Sequence, residues 1–170
     1  NVIFCINDIL ACGAIQACQD MGIDPDAVLV VTFGLEGNTL KNELMQRSYL
    51  KAGLAMFPEI VGPVCVEAAI GAYKQLDLPS KLVTPHAVLT ADTLGDFYVR
   101  QRDGWHLNLA TAEALLPIPL PFTAFGGGSL PQRIGFLVPF GEHEWYHSLI
   151  AAMRTYAGNL GIGVVLADVT

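Results

Sequence analysis

The chain has 170 residues and a mass of 18.2 kDa, enough for one ordinary domain or two very small ones, and enough to bury a core without disulfide staples. Charged residues make up 15% and apolar ones 52%, with a mean hydropathy of +0.45, which excludes a chain disordered throughout. The net charge is −7 and no basic cluster stands out among the 9 Lys and Arg, which argues against a nucleic-acid partner.

Val2 to Ile6 is an apolar run of strand length, Asn7 and Asp8 supply an N-cap, and Leu10, Gly13, Ala14, Ala17 and Met21 recur at helical spacing up to Gly22. Asp24-Pro25-Asp26 reads as a turn. Val28 to Phe33 is an uninterrupted run of mostly β-branched residues, expected of a strand buried on both faces. This order predicts a βαβ unit in a parallel sheet, hence an α/β fold. The pattern then repeats, with a loop at 34–37, a helix over Thr39 to Arg47, a strand over Ala52 to Phe57 and a long helix over Pro58 to Gln75. The apolar face expected of that helix is Val61, Val64, Cys65, Ala68, Ala69 and Ala72, with Pro58 in the first turn where proline is tolerated. Leu82 to Thr90 reads as an extended segment interrupted by Pro85, Asp92 to Tyr98 as a short helix and Trp105 to Leu116 as a surface tail.

Residues 117–132 carry four prolines and a Gly-Gly-Gly-Ser tract, the composition of a linker. The longest uncharged run, Ala114 to Gln132, contains those same prolines and glycines and so is not expected to span a membrane. Beyond it, Arg133 to Val138 reads as a strand, Leu149, Met153, Tyr156 and Leu160 mark one face of a helix, and Val164 to Ala167 reads as a second strand. The expected organisation is therefore 1–116, a linker at 117–132, and 133–170. No basic segment followed by an apolar run opens the chain, so no secretory signal is expected in it. Cys5, Cys12, Cys18 and Cys65 lack CxxC spacing and read as small buried hydrophobes.

His143-Glu144-Trp145-Tyr146-His147 matches the H-E-x-x-H pattern, in which two histidines one helical turn apart hold zinc and the glutamate acts as general base. Here the motif falls in a helix's first turn, and no His or Glu follows His147 to complete the ligand set. The plainer reading gives Glu144 a favourable place at a helix N-terminus. Trp145 and Tyr146 read equally well as stacking surfaces over a ligand or as core aromatics.

Phe4-Cys5-Ile6-Asn7-Asp8-Ile9-Leu10-Ala11-Cys12-Gly13-Ala14 resembles the strand-Asn-Asp-helix motif in the later half of type I periplasmic binding proteins, the ribose-binding and LacI-like superfamily. Val30-Val31-Thr32-Phe33-Gly34 falls where that family has a V-x-G-F-D strand end. Ala52 to Ala69 is similar to the strand and helix that return to the first lobe, and Thr84 to Tyr98 to the C-terminal segment. After the linker, Ile134-Gly135-Phe136-Leu137-Val138-Pro139 is similar instead to the family's first strand, His143-Glu144-Trp145-Tyr146 to its N-P-F-F-like ligand loop, and Val164 to Asp168 to its second strand. The resemblance thus presents the family's two ends in reversed order, as in a circularly permuted fragment without its middle, natural or engineered. It implies a two-lobed fold with each lobe incomplete. Residues 1 to about 50 fall to the second lobe, and about 51–82 with 134–170 to the first.

The resemblance implies a solute-binding protein that closes over a small molecule and delivers it to an ABC permease from the periplasm, without catalysis or cofactor. It also implies that a complementing polypeptide, or a domain-swapped copy, supplies what is missing. The ligand-binding residues it points to are Trp145, Tyr146, His143, Phe140 and Met56 on the first lobe and Asn7 and Gly34 on the second. Gly34 stands where sugar binders place an Asp, and Met56 where they often place a Gln, so the ligand is sugar-like only if Glu36, Asn38 or other residues supply polar contacts, and is otherwise flatter or less hydroxylated. The alternative is a zinc-dependent hydrolase using His143, His147 and Glu144.

Overall fold

The computed structural model describes residues 1–117, 129–139 and 141–169; Phe140 and most of the expected linker at 117–132 lie outside the described residues. The chain is mixed α/β, with parallel strands and six helices among the described residues. It divides into two discontinuous units, Asn1–Met56 with His86–Leu116, and Phe57–Pro85 with the described part of Pro117–Thr170.

In the first unit, strands β1 (Val2–Cys5), β2 (Leu29–Phe33) and β3 (Leu50–Ala55) pair in parallel. The short β4 (Ala87–Leu89), the only part of the expected 82–90 segment to form a strand, pairs antiparallel with β3. Because β3 completes this sheet, it belongs with β1 and β2 and not with the long helix that follows it.

The crossovers are helices α1 (Asp8–Asp20) and α2 (Gly37–Gln46). Both steps advance in the same direction across the sheet, so two right-handed crossovers put both helices on one face. The other face is left open, which corrects the expectation of a doubly buried β2. Val30 and Thr32 are buried while Leu29 and Phe33 are exposed, and on β1 the same side exposes Val2 and Phe4. The buried stripe of α1 also differs from the expected one. Asp8, Ala11, Ile15 and Cys18 turn inward, whereas Leu10 and Met21 face out. The helix carries apolar residues on most sides, and the sheet it packs on selects among them.

The expected surface tail is structured. Helix α4 (Leu94–Phe97) leads into a hairpin of β5 (Tyr98–Arg100) and β6 (Trp105–Leu107), followed by α5 (Leu109–Leu115). Two asparagines one turn apart on α2 hold the hairpin: Trp105 donates its backbone N–H to Asn38 Oδ1 at 2.9 Å and its indole N–H to Asn42 Oδ1 at 3.0 Å.

The second unit is built on α3 (Pro58–Tyr73), β7 (Arg133–Val138), α6 (Glu144–Asn159) and β8 (Gly163–Asp168), with β7 and β8 parallel from Arg133↔Gly163 to Val138↔Asp168. Its core joins Val61, Val66 and Ile70 of α3 to Leu149, Met153 and Ala157 of α6, together with Ile134 and Ile162. Val61 of the expected α3 face is buried, but Ala72 is exposed, and Ile70 and Val66 carry the packing. Gly62 lets the two helices approach, since a β-carbon there would lie 2.8 Å from Ala152 Cβ and 2.9 Å from the Met153 backbone nitrogen. All four cysteines are free; Cys5 and Cys18 are buried and Cys12 and Cys65 half-buried. Burial pushes the thiols of Cys5, Cys12 and Cys65 up. No helix among the described residues is long and apolar enough to cross a membrane.

Candidate functional site

Parallel strands in open α/β sheets deliver side chains and helix starts to their carboxyl ends, where ligands bind. In the first unit that end gathers Asn7, Gly34 and Met56. Asn7 caps α1, its Oδ1 accepting the Leu10 N–H at 2.8 Å, and its carbonyl accepts the Thr32 hydroxyl at 3.1 Å, which ties β2 to the start of the helix. Gly34 has φ +104, a conformation L side chains rarely adopt, and donates its N–H to the Leu54 carbonyl at 3.1 Å. A β-carbon there would lie 3.4 Å from the Asp8 nitrogen, an ordinary contact, so it is the backbone conformation that calls for glycine where β2 meets the first turn of α1. Asp8 itself is buried and accepts the Ile9 N–H at 3.0 Å.

Met56 donates its backbone N–H to Glu36 Oε1 at 3.5 Å. Glu36 in turn faces Lys41, with Nζ 4.0 Å from Oε2, and the same ammonium sits 4.5 Å from the centroid of the Tyr98 ring. Both charged residues are 4% exposed. Sequence reading reached Glu36 as a source of polar contacts but missed Lys41 and Tyr98. The available signal was a lysine set between Leu40 and Leu44 on the apolar stripe of α2, where a charge is costly unless paired.

In the second unit the expected ligand loop lies between β7 and α6. His143 is the N-cap of α6, and its ring Nδ1 accepts the Trp145 N–H at 3.1 Å, which requires that nitrogen to be unprotonated. Trp145 and Tyr146 meet edge to face at 5.0 Å between centroids, and the His143 ring lies 6.4 Å from Tyr146. Both large rings are half-buried and pack on the α3–α6 core. The Trp145 indole N–H is buried without a hydrogen-bond partner among the described residues. Glu144 and His147 are exposed. Among the described residues no group of three His, Cys, Asp or Glu side chains is placed to hold a metal ion.

No protein-family model matches the chain, and a search of curated proteins returns no significant match.

Proposed function

We propose that the chain is a solute-binding protein of the type I periplasmic class, its two units each incomplete lobes that close over a small molecule. Closure, rather than chemistry, is the mechanism: the ligand stabilises the closed arrangement by its differential contacts. The observation that carries this reading is the set of polar and adaptable groups at the carboxyl ends of β1, β2 and β3, with Asn7, Gly34, Glu36 and Met56 at one end of one parallel sheet. The aromatic rings of Trp145 and Tyr146, the Met56 thioether and the Glu36 carboxylate are groups that suit a sugar-like or planar solute.

In this reading His143, Trp145 and Tyr146 contribute from the second unit, an ABC permease in a periplasmic setting receives the solute, and a complementing polypeptide or swapped copy covers the open sheet faces. The zinc-hydrolase reading has less support, because the cap of α6 engages His143 Nδ1.

Native mass spectrometry of the purified chain tests the proposal by detecting a retained small molecule. Asn7→Ser then separates binding from folding, since serine also caps a helix but lacks the amide. Calorimetry is expected to show at least about tenfold weaker binding with an unchanged melting temperature, in line with loss of a buried hydrogen bond. Unaltered affinity in this variant overturns the assignment of Asn7. Stoichiometric zinc that is lost in His147→Ala, with an activity lost in Glu144→Gln, overturns the binding reading itself.

A further inference from the structure

A cleft of about 420 Å³ lies within the second unit at the carboxyl ends of β7 and β8, a volume suited to a small molecule. Neither Trp145 nor Tyr146 lines it, so it stands apart from the residues invoked above. Its floor is apolar, formed by Val138, Ile150 and Leu166, and its rim carries charges of both signs.

The placement of those charges follows from the topology. The β7–α6–β8 crossover runs α6 antiparallel to the strands, so the end of β8 lies beside the start of α6. Asp168 and Glu142 are therefore both at one end of the cleft, with His147. The Asp168 carboxylate lies against Gly141, where a β-carbon would come within 2.7 Å of one of its oxygens. His147, Ile150, Ala151 and Arg154 share one stripe of α6 at i, i+3, i+4 and i+7. Seven residues of helix rise about 10 Å, so Arg154 stands two turns from the acidic end. Its guanidinium has no ion-pair partner among the described residues.

A simple anion at this site meets Glu142 and Asp168, and a simple cation meets Arg154. We infer that the cleft binds a small amphoteric molecule, with an amine toward Asp168 and Glu142, a carboxylate toward Arg154, and an apolar stem over Ile150 and Leu166. The assignment does not depend on what the strand ends of the first unit bind.

The test is calorimetry on the full chain with 6-aminohexanoate, whose charges sit at opposite ends of an apolar stem, against hexanoate and hexylamine. Saturable binding of 6-aminohexanoate is expected, with each single-charge analogue at least about tenfold weaker, as loss of one charged hydrogen bond implies. Arg154→Ala, at an exposed helix position, is expected to lower affinity at least about tenfold by the same loss. Ala151→Trp, which fills the cleft and removes no charged group, is expected to abolish binding. Absence of saturable heat with 6-aminohexanoate, or equal binding by both variants and the native chain, overturns the inference.

Discussion

Tyr156 on α6 donates its hydroxyl to Glu67 Oε1 on α3, joining the two helices of the second unit through a carboxyl group that is 2% exposed. The other carboxyl oxygen, Oε2, is buried with no hydrogen-bond partner among the described residues. A buried carboxyl with a single donor depends on that donor. Tyr156→Phe is therefore expected to destabilise the chain by about 1–3 kcal/mol in urea unfolding, the penalty for orphaning a buried polar group. Glu67→Leu removes the acceptor and the unpaired oxygen together, and the double variant with Tyr156→Phe should recover most of the loss.

The same pair predicts an alkaline transition. Burial, then the hydrogen bond to Glu67 and its charge, push the Tyr156 phenol up to about 12 from the ordinary 10. The folded state thus holds this proton more tightly than the unfolded state. Its contribution is fully present below pH 10 and is lost as pH rises toward 12. Thermal melts across this interval should fall more steeply for the native chain than for Tyr156→Phe. Parallel curves would show that another group governs alkaline unfolding.

Close approach of α3 and α6 rests on Gly62. An added methyl meets Ala152 Cβ at 2.8 Å, the Met153 nitrogen at 2.9 Å and the Leu149 carbonyl oxygen at 3.0 Å, two of them backbone atoms that cannot rotate away. Alanine has the better helix propensity by about 1 kcal/mol, so propensity alone predicts stabilisation. Overpacking of about 1–3 kcal/mol is expected to win, and Gly62→Ala should lower the melting temperature. A rise would mean that the helices separate at little cost.

Much of the strand–helix order was legible in the sequence because apolar runs bounded by Asn7-Asp8, Asp24-Pro25 and Pro58 mark each element with local chemistry. The cap role of Asn7 was legible for the same reason. The inward stripe of α1 was not, because Leu10 and Met21 are as apolar as Ala11 and Ile15, and the choice is made by the sheet. The hairpin of β5 and β6 was also hidden. Its strands are three residues long, and it is held by Asn38 and Asn42, distant in sequence. Lys41 escaped notice because a helix lysine ordinarily signals a solvated face, whereas here it is enclosed by Glu36 at the cap of its own helix and by the ring of Tyr98 from β5, distant in sequence.

That buried lysine yields a sharp expectation. Lys41→Met keeps the stem's length and removes the charge opposite Glu36, leaving a buried carboxylate without its cation. Removing one partner of a buried pair costs about 3–5 kcal/mol. Adding Glu36→Gln should restore much of it, and the coupling between the two changes is measurable in a double-mutant cycle by denaturant unfolding. Additive losses would mean that the pair contributes no mutual stabilisation.

The open face of the first unit's sheet bears on association. Val2 is in register with Leu29, Phe4 with Val31 and Phe33 with Leu54, and Val88 continues the row on β4 beside Leu54. Phe4 is 64% exposed and Val88 65%, on a surface formed almost wholly of branched and aromatic side chains. A contiguous apolar face of this kind is expected to bind itself or another chain, and β1 is an edge strand with no second partner among the described residues. Sedimentation velocity should show concentration-dependent association of the native chain. The double variant Phe4→Ser with Phe33→Asn is expected to shift the distribution toward monomer while leaving the Cys5, Val30 and Thr32 side of the sheet packed on α1. A native chain that stays monomeric at every concentration would show that this face needs no cover.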